Sequence, residues 1–287
     1  MRYEEPVFRP PSEASSLIIQ ATIGCSHNKC TFCGMYKGKV YRERDVEEIK
    51  EDLIMAKEFY GDVRRLFLAD GNALAMDTSK LLEIIKFANT LFNLERVSAY
   101  ATPQDLLKKS RDELKKLRDA GLKLLYVGIE SGDDEILKSV RKGVNSEQIV
   151  EGCKKAIECG IDLSVTVITG LGGKERSYEN AKNTARVINK IEPKFTAALT
   201  LIPVPNTALY KKIEKNEFEL LSPIENLIEL KWFVEDIKCK TIFRCNHASN
   251  YLPIGGNLPE DKDKILRAID YAIKNPRILK PEFMRGL

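Results

Sequence analysis

The chain has 287 residues, 43% of them hydrophobic and 31% charged, with 46 Lys and Arg against 42 Asp and Glu for a net charge of +4. That length suits one α/β barrel of about 250 residues with a short extension, and the near-balanced charge makes no electrostatic case for a polyanionic partner. No apolar run approaches the roughly 20 residues needed to span a bilayer, and MRYEEPVFRP has Glu and Pro where a leader would be apolar. A cytoplasmic protein with no membrane partner is expected.

Apolar runs alternate with amphipathic stretches along the chain. Residues 16–22 read as a first strand, followed by a long loop to about Arg44. Residues 46–60 have helical spacing, with Ile49, Leu53, Ala56 and Phe59 on one stripe. Strands at 66–69 and 96–101 bracket a helix at 79–94. Thr102 is placed as an N-cap, with Pro103 and Asp105 in the first turn of one helix running to Gly121. The pattern continues with a strand at 124–129, helices at 134–140 and 146–159, a strand at 163–169, a helix at 178–191 and a strand at 196–202. Near-continuous apolar strands alternating with helices indicate parallel β-structure.

The expected fold is α/β, a partial (β/α)6 barrel, with a doubly wound open sheet as the alternative. Residues 1–221 form the barrel; residues 222–287 form a C-terminal α+β extension capping it. That extension is read as a helix to Ile237, a strand at 241–244, a loop, and a last helix from Glu260.

Seven cysteines, an odd number, do not look like a disulfide framework. Three of them, Cys25, Cys30 and Cys33, crowd one loop after the first strand. Loops at strand C-termini form the active face of a barrel. Three thiolates on a four-iron cluster would leave one iron open, the mark of a catalytic site. The loop by itself also fits zinc, because Cys25, His27, Cys30 and Cys33 make a Cys₃His set. In that case the chain would be a non-catalytic binding module.

The cysteine loop resembles that of the radical S-adenosylmethionine (SAM) superfamily. Its first gap holds four residues where three are usual, and aromatic Phe32 precedes the last cysteine, as the family favours beside adenine. Asp70-Gly71-Asn72 follows the second strand, where the family has the Gly-Gly-Glu-Pro that handles the methionine amino group. Gly128-Ile129-Glu130-Ser131 is similar to a ribose- or methionine-contacting segment, and Arg141 downstream is placed to pair with the methionine carboxylate. Val167-Ile168-Thr169-Gly170 resembles the segment whose backbone meets adenine, and residues 201–207 resemble a strand-six turn. The nearest branch contains oxygen-independent coproporphyrinogen oxidase and elongator-type enzymes.

The resemblance implies a [4Fe–4S] cluster on Cys25, Cys30 and Cys33, with S-adenosylmethionine held by Phe32, Gly71, Asn72, Glu130, Arg141, Ile168 and Gly170. It further implies reductive cleavage to a 5′-deoxyadenosyl radical that abstracts hydrogen from a substrate. The electron would come from an external reductant such as ferredoxin or flavodoxin. Related readings are a porphyrinogen-like oxidase and a tRNA-modifying enzyme, although no added RNA-binding module is seen.

The remaining residues read as follows. Gly170–Gly173 lacks both the spacing and the Lys-Ser/Thr of a phosphate loop. Cys153 and Cys159 are expected as buried small hydrophobes. Cys239, Cys245 and His247 are weighed as an auxiliary metal site. His247 and Tyr251 are weighed as substrate-facing residues of a cap, against an ordinary Asn/Gly/Pro loop.

Overall fold

The computed structural model describes residues 1–286. Its strands are β1 (Leu17–Gln20), β2 (Thr22–Ile23), β3 (Arg42–Glu43), β4 (Arg65–Ala69), β5 (Arg96–Ala101), β6 (Leu122–Glu130), β7 (Asp162–Thr169), β8 (Phe195–Thr200), β9 (Thr241–Cys245) and β10 (Ile254–Leu258). The chain forms two compact units, one of residues 1–28, 35–127 and 151–163, the other of residues 29–34, 128–150 and the chain from 164 onward.

In the first unit β1, β4, β5 and β6 pair in parallel, with Ile18 opposite Phe67, Phe67 opposite Ser98, and Ala99 opposite Leu125. Strand β4 is buried from Leu66 to Ala69, as expected where both faces of a parallel sheet are covered. The core includes Ile19, Phe67 and Leu68 from strands and Ile49, Leu53 and Ile84 from helices, each 2% exposed or less. A buried carboxylate also sits among the strands. Glu13 accepts hydrogen bonds from Ser98 Oγ (2.9 Å), Tyr126 Oη (2.6 Å), Arg96 and Ser16. A buried charge supplied with this many donors avoids most of the desolvation penalty.

In the second unit β7, β8 and β9 are parallel and β10 is antiparallel to β9. Strand β9 lies beside β8, with Phe195 opposite Ile242. The helix at Pro223–Asp236 packs on the helix at Ser177–Ile191. The 221/222 position expected as a domain limit lies inside this unit.

Three local expectations are corrected. The single strand expected over residues 16–22 is two, because Thr22 and Ile23 leave β1's ladder to pair with Glu43 and Arg42. The single helix expected from Thr102 to Gly121 is two, Pro103–Lys108 and Arg111–Ala120. Lys109 is extended between them, and Ser110 and Glu113 form a capping box that restarts the helix. Residues 254–258, read as loop because of Gly255 and Gly256, form β10, since ladder bonds to β9 need no side chain. Replacing Ser110 with Ala should lower the unfolding free energy by about 1 kcal/mol in a urea titration.

Candidate active site

The cysteine loop leaves the sheet at Gly24, and in the first unit its start is fastened to the end of β4. Gly24 N donates to Asp70 Oδ2 at 3.2 Å, and Ser26 N donates to Asn72 Oδ1 at 2.9 Å. Between these two residues, Gly71 lies directly against the loop backbone. A Cβ there would stand 2.8 Å from Cys25 Cα and closer still to the Gly24 carbonyl oxygen. Both obstacles are main chain, so only glycine fits.

Asp70 is fully buried and ion-paired through Oδ2 to Lys39 Nζ at 2.9 Å. Tyr36 is buried nearby, and its phenol is driven upward first by desolvation and then by the Asp70 charge. Asn72 is also fully buried. Its Nδ2 donates to Ser26 Oγ at 2.7 Å and to both Asp105 oxygens, at 3.0 and 2.9 Å. Asp105 in turn belongs to the Thr102 capping box, and burial raises its carboxyl above the ordinary range. Neither Lys39 nor Asp105 stood out in the sequence as part of this arrangement, because each acts on a residue about thirty positions away, Lys39 on Asp70 and Asp105 on Asn72.

The second half of the loop belongs to the second unit. Thr31 N donates to Val140 O and Leu209 N donates to Thr31 O, both at 2.9 Å. Phe32 and Ile168 pack against one apolar cluster of Ile136, Val140, Leu171, Leu201 and Leu209. Phe32, expected beside adenine, and Ile168, from the segment expected to meet it, therefore share a hydrophobic patch. Cys25, Cys30 and Cys33 are all partly exposed thiols. Among the described residues no three His, Cys, Asp or Glu side chains are gathered ready to hold a metal. The fit to a metal centre therefore rests on the donor set and on the two fastened ends of the loop, where the backbone is already fixed.

Glu130 ends β6 with φ +69° and pairs with Lys142 Nζ at 2.8 Å, with Lys142 7% and Glu130 13% exposed. Arg141, expected to take a carboxylate, is solvent-exposed with φ +56°. Lys142, which sequence reading passed over, is the buried cation of this segment.

Gly170 follows β7 with φ +79°, a conformation that glycine adopts without strain. Its N–H donates to Glu229 Oε1 at 2.9 Å. The same carboxylate accepts Asn180 Nδ2 at 2.8 Å and Ser177 Oγ at 2.6 Å. Asn180 Nδ2 also donates to Ile168 O at 3.1 Å, and Asn180 Oδ1 accepts from Ser131 Oγ at 2.6 Å. One buried carboxylate on the helix at Pro223–Asp236 therefore holds the turns after β6 and β7. Burial pushes Glu229 up to about 7, against three lowering hydrogen bonds. A lone Glu on a helix carries no sequence signal for this role beyond its neighbours Leu227, Leu230 and Phe233 being apolar.

His247 and Tyr251 lie apart from the cysteine segment in sequence but within this second unit. His247 Nδ1 accepts from Ser249 N at 3.1 Å, and burial lowers its pKa. Tyr251 Oη donates to Glu282 Oε2 at 2.7 Å, and the Arg285 guanidinium lies over its ring at 4.0 Å. Cys239 Sγ points to Ile188 O at 3.6 Å, and burial pushes its thiol up to about 11 and that of Cys245 to about 12. Cys153 and Cys159 are buried, as expected.

Residues 19–188 match the model of the radical SAM superfamily. The chain belongs to this superfamily. It is a radical SAM enzyme, and with that membership come the family's [4Fe–4S] cluster and S-adenosylmethionine. It is 29% identical to a putative methylthiotransferase of Methanocaldococcus jannaschii over 54% of this chain and 35% of that one. It is 23% identical to the heme chaperone HemW of Bacillus subtilis over 68% of this chain and 53% of the other.

Among solved structures, coproporphyrinogen III oxidase of Escherichia coli aligns with a TM-score of 0.62 at 20% identity, covering 77% of this chain and 51% of that one. Methylornithine synthase aligns at 0.56 and 17% identity, covering 88% and 68%. These likenesses establish the fold as the partial barrel of radical SAM enzymes. The chain spans between a third and about half the length of the curated relatives named here.

Two outcomes follow from this geometry. Gly71→Ala should keep the far-ultraviolet circular dichroism while losing most of its iron after anaerobic reconstitution. The folded protein holds a proton on Glu229 that the unfolded chain releases between pH 4.5 and about 7. Its contribution to stability is therefore present at low pH and declines as pH rises through that window. Glu229→Gln, a neutral mimic, should gain stability relative to the parent as pH rises from 4.5 to about 7 and hold that gain at higher pH in parallel denaturant titrations.

Proposed function

We propose that Cys25, Cys30 and Cys33 ligate the [4Fe–4S] cluster and that the surrounding strand ends hold S-adenosylmethionine for hydrogen abstraction from a substrate. The observation that carries this reading is the backbone contact of Gly71 with Gly24 and Cys25, reinforced by Asp70 and Asn72. A metal loop that must give up one iron to substrate needs an anchored backbone, and this one is anchored where the loop leaves the sheet. The bound group supplies reductive cleavage of the sulfonium and the radical; the protein supplies position, dryness and charge.

Phe32 and Ile168 offer apolar surface for adenine, and Gly170 a main chain free of a side chain. Asn72 Oδ1 accepts one hydrogen bond from Ser26, and a carboxamide oxygen has a second lone pair for the methionine ammonium. Glu130, held by Lys142, is assigned to the ribose or methionine end. Exposed Arg141 is assigned to the methionine carboxylate, which a planar guanidinium can meet with two parallel hydrogen bonds. Residues 222–286 serve as the cap, with Tyr251 and His247 on the substrate side.

The enzyme is assigned to the cytoplasm, fed by a ferredoxin- or flavodoxin-type one-electron donor. No helix of the described residues is long and apolar enough to cross a membrane. Dithionite-reduced, reconstituted protein should form 5′-deoxyadenosine from S-adenosylmethionine. The variant with all three cysteines changed to Ala should show neither this product nor the brown cluster absorption. Stoichiometric zinc with no 5′-deoxyadenosine from the parent would overturn the assignment in favour of the Cys₃His module.

A further inference from the structure

Residues 1–10 contain no helix or strand, and Arg2 to Pro6 are exposed. A segment of this kind, with no ladder and few buried apolar contacts, ordinarily frays. Here residues 4–6 are laced into the first unit by two side chains. One is Gln20, buried at the end of β1, and the other is Lys39 on the returning limb of the cysteine loop, with its side chain 9% exposed.

Gln20 meets Glu4 reciprocally. Glu4 N donates to Gln20 Oε1 at 2.8 Å, and Gln20 Nε2 donates to Glu4 O at 3.0 Å. The same Nε2 donates to Asp70 Oδ2 at 3.4 Å. Lys39 Nζ donates to Glu4 O at 2.5 Å, to Pro6 O at 2.8 Å and to Asp70 Oδ2 at 2.9 Å. An ammonium has three N–H groups, so these partners use all of them. Glu4, Gln20, Asp70 and Lys39 thus close a ring of hydrogen bonds.

The ring reaches both limbs of the cysteine loop. Asp70 Oδ2 also holds Gly24 N, where the loop leaves the sheet. Lys39 N donates to Tyr36 O, and Asn28 Nδ2 donates to Tyr36 O at 2.8 Å and to Lys39 O at 3.4 Å, bridging the outgoing limb to the returning one. Phe8 adds an edge-to-face contact on Tyr36, with ring centroids 5.6 Å apart. Departure of residues 4–6 would strip Lys39 of two of its three acceptors while its side chain stays almost enclosed. An enclosed ammonium short of acceptors is costly, so it shifts when the segment leaves. Asp70 and the Gly24 amide are tied to it, and the coupling runs through contiguous hydrogen bonds.

We infer that residues 4–6 are a clamp on the metal-bearing loop, with Lys39 as the positioning residue that transmits their docking to Gly24 and Cys25. The clamp rests on the reading of that loop as metal-bearing, and it adds a segment outside the loop and the strand ends. Linkage makes the effect mutual: whatever the docked segment contributes to metal binding, bound metal returns as protection of the segment.

Hydrogen exchange, read by mass spectrometry on a peptic fragment within residues 1–10, compares the metal-free full chain with the chain reconstituted anaerobically with iron and sulfide. Reconstitution should slow exchange there about fivefold or more in the parent and leave it unchanged in Lys39→Met. Iron release to excess ferrous chelator should be about fivefold or more faster from Glu4→Pro, which removes the Glu4 N–H, than from the parent. Glu4→Gln keeps both main-chain groups and loses only the ion pair with Arg42, so it should release iron at the parent's rate. Exchange that is unchanged on reconstitution, or a slowing that persists in Lys39→Met, would overturn the inference. Parental iron release from Glu4→Pro, equal acceleration in Glu4→Gln, or no iron retained by the parent would do the same. Should circular dichroism show Lys39→Met unfolded, exchange in the parent and the two Glu4 variants decide the outcome. 5′-Deoxyadenosine is assayed on the same iron-loaded parent. Its absence defeats the hydrogen-abstraction reading, while exchange and iron release still decide the clamp.

Discussion

The placement of the cysteine loop depends on a contact with no side chain in it. Where β4 ends, Gly71 brings main chain against main chain at Gly24 and Cys25, closer than any Cβ would permit. Close backbone approach is stiff, because peptide planes have no rotamers with which to relieve a clash. The residues on either side use that proximity. Asp70 reaches the Gly24 amide and Asn72 the Ser26 amide. A long loop that would otherwise bear a large entropic cost is thus held at its base by three consecutive residues.

The charges around this base are arranged to make burial tolerable. Asp70 is neutralised by Lys39, and Asn72 meets a neighbouring carboxylate without adding a charge of its own. A Glu at position 72 would stand within hydrogen-bond distance of Asp105, setting two buried carboxylates against each other, which raises the pKa of one of them.

The second unit solves the corresponding problem by sharing one acceptor. Glu229 joins Gly170, Ser177 and Asn180, and through Asn180 also Ser131 and Ile168. Fully paired buried networks of this kind are rigid, and removing one member leaves the others unsatisfied. Serine is the one donor here that can reverse its hydrogen bond, so the network tolerates a proton on Glu229 without rearranging the glycine turn. Asn226 on the same helix is the exception, its Oδ1 buried with no donor.

The family resemblance and the order of the elements were legible in the sequence, because both are written locally. Three thiolates in nine residues, an aromatic beside the last, and glycines at strand ends are short-range patterns. Alternating apolar runs likewise identify parallel strands and their helices. Boundaries failed where a local signal competed with a longer pattern, as at Ser110, or where pairing alone made a strand, as at residues 254–258. Tertiary structure decided which residues support the site. Lys39, Asp105, Lys142 and Glu229 act on partners that are in several cases tens of residues away, and their burial comes only from packing. Residue spacing in one sequence does not encode those distances. The cysteine loop was therefore readable from the chain itself, but its anchorage through Gly71 to the backbone of Cys25 was not.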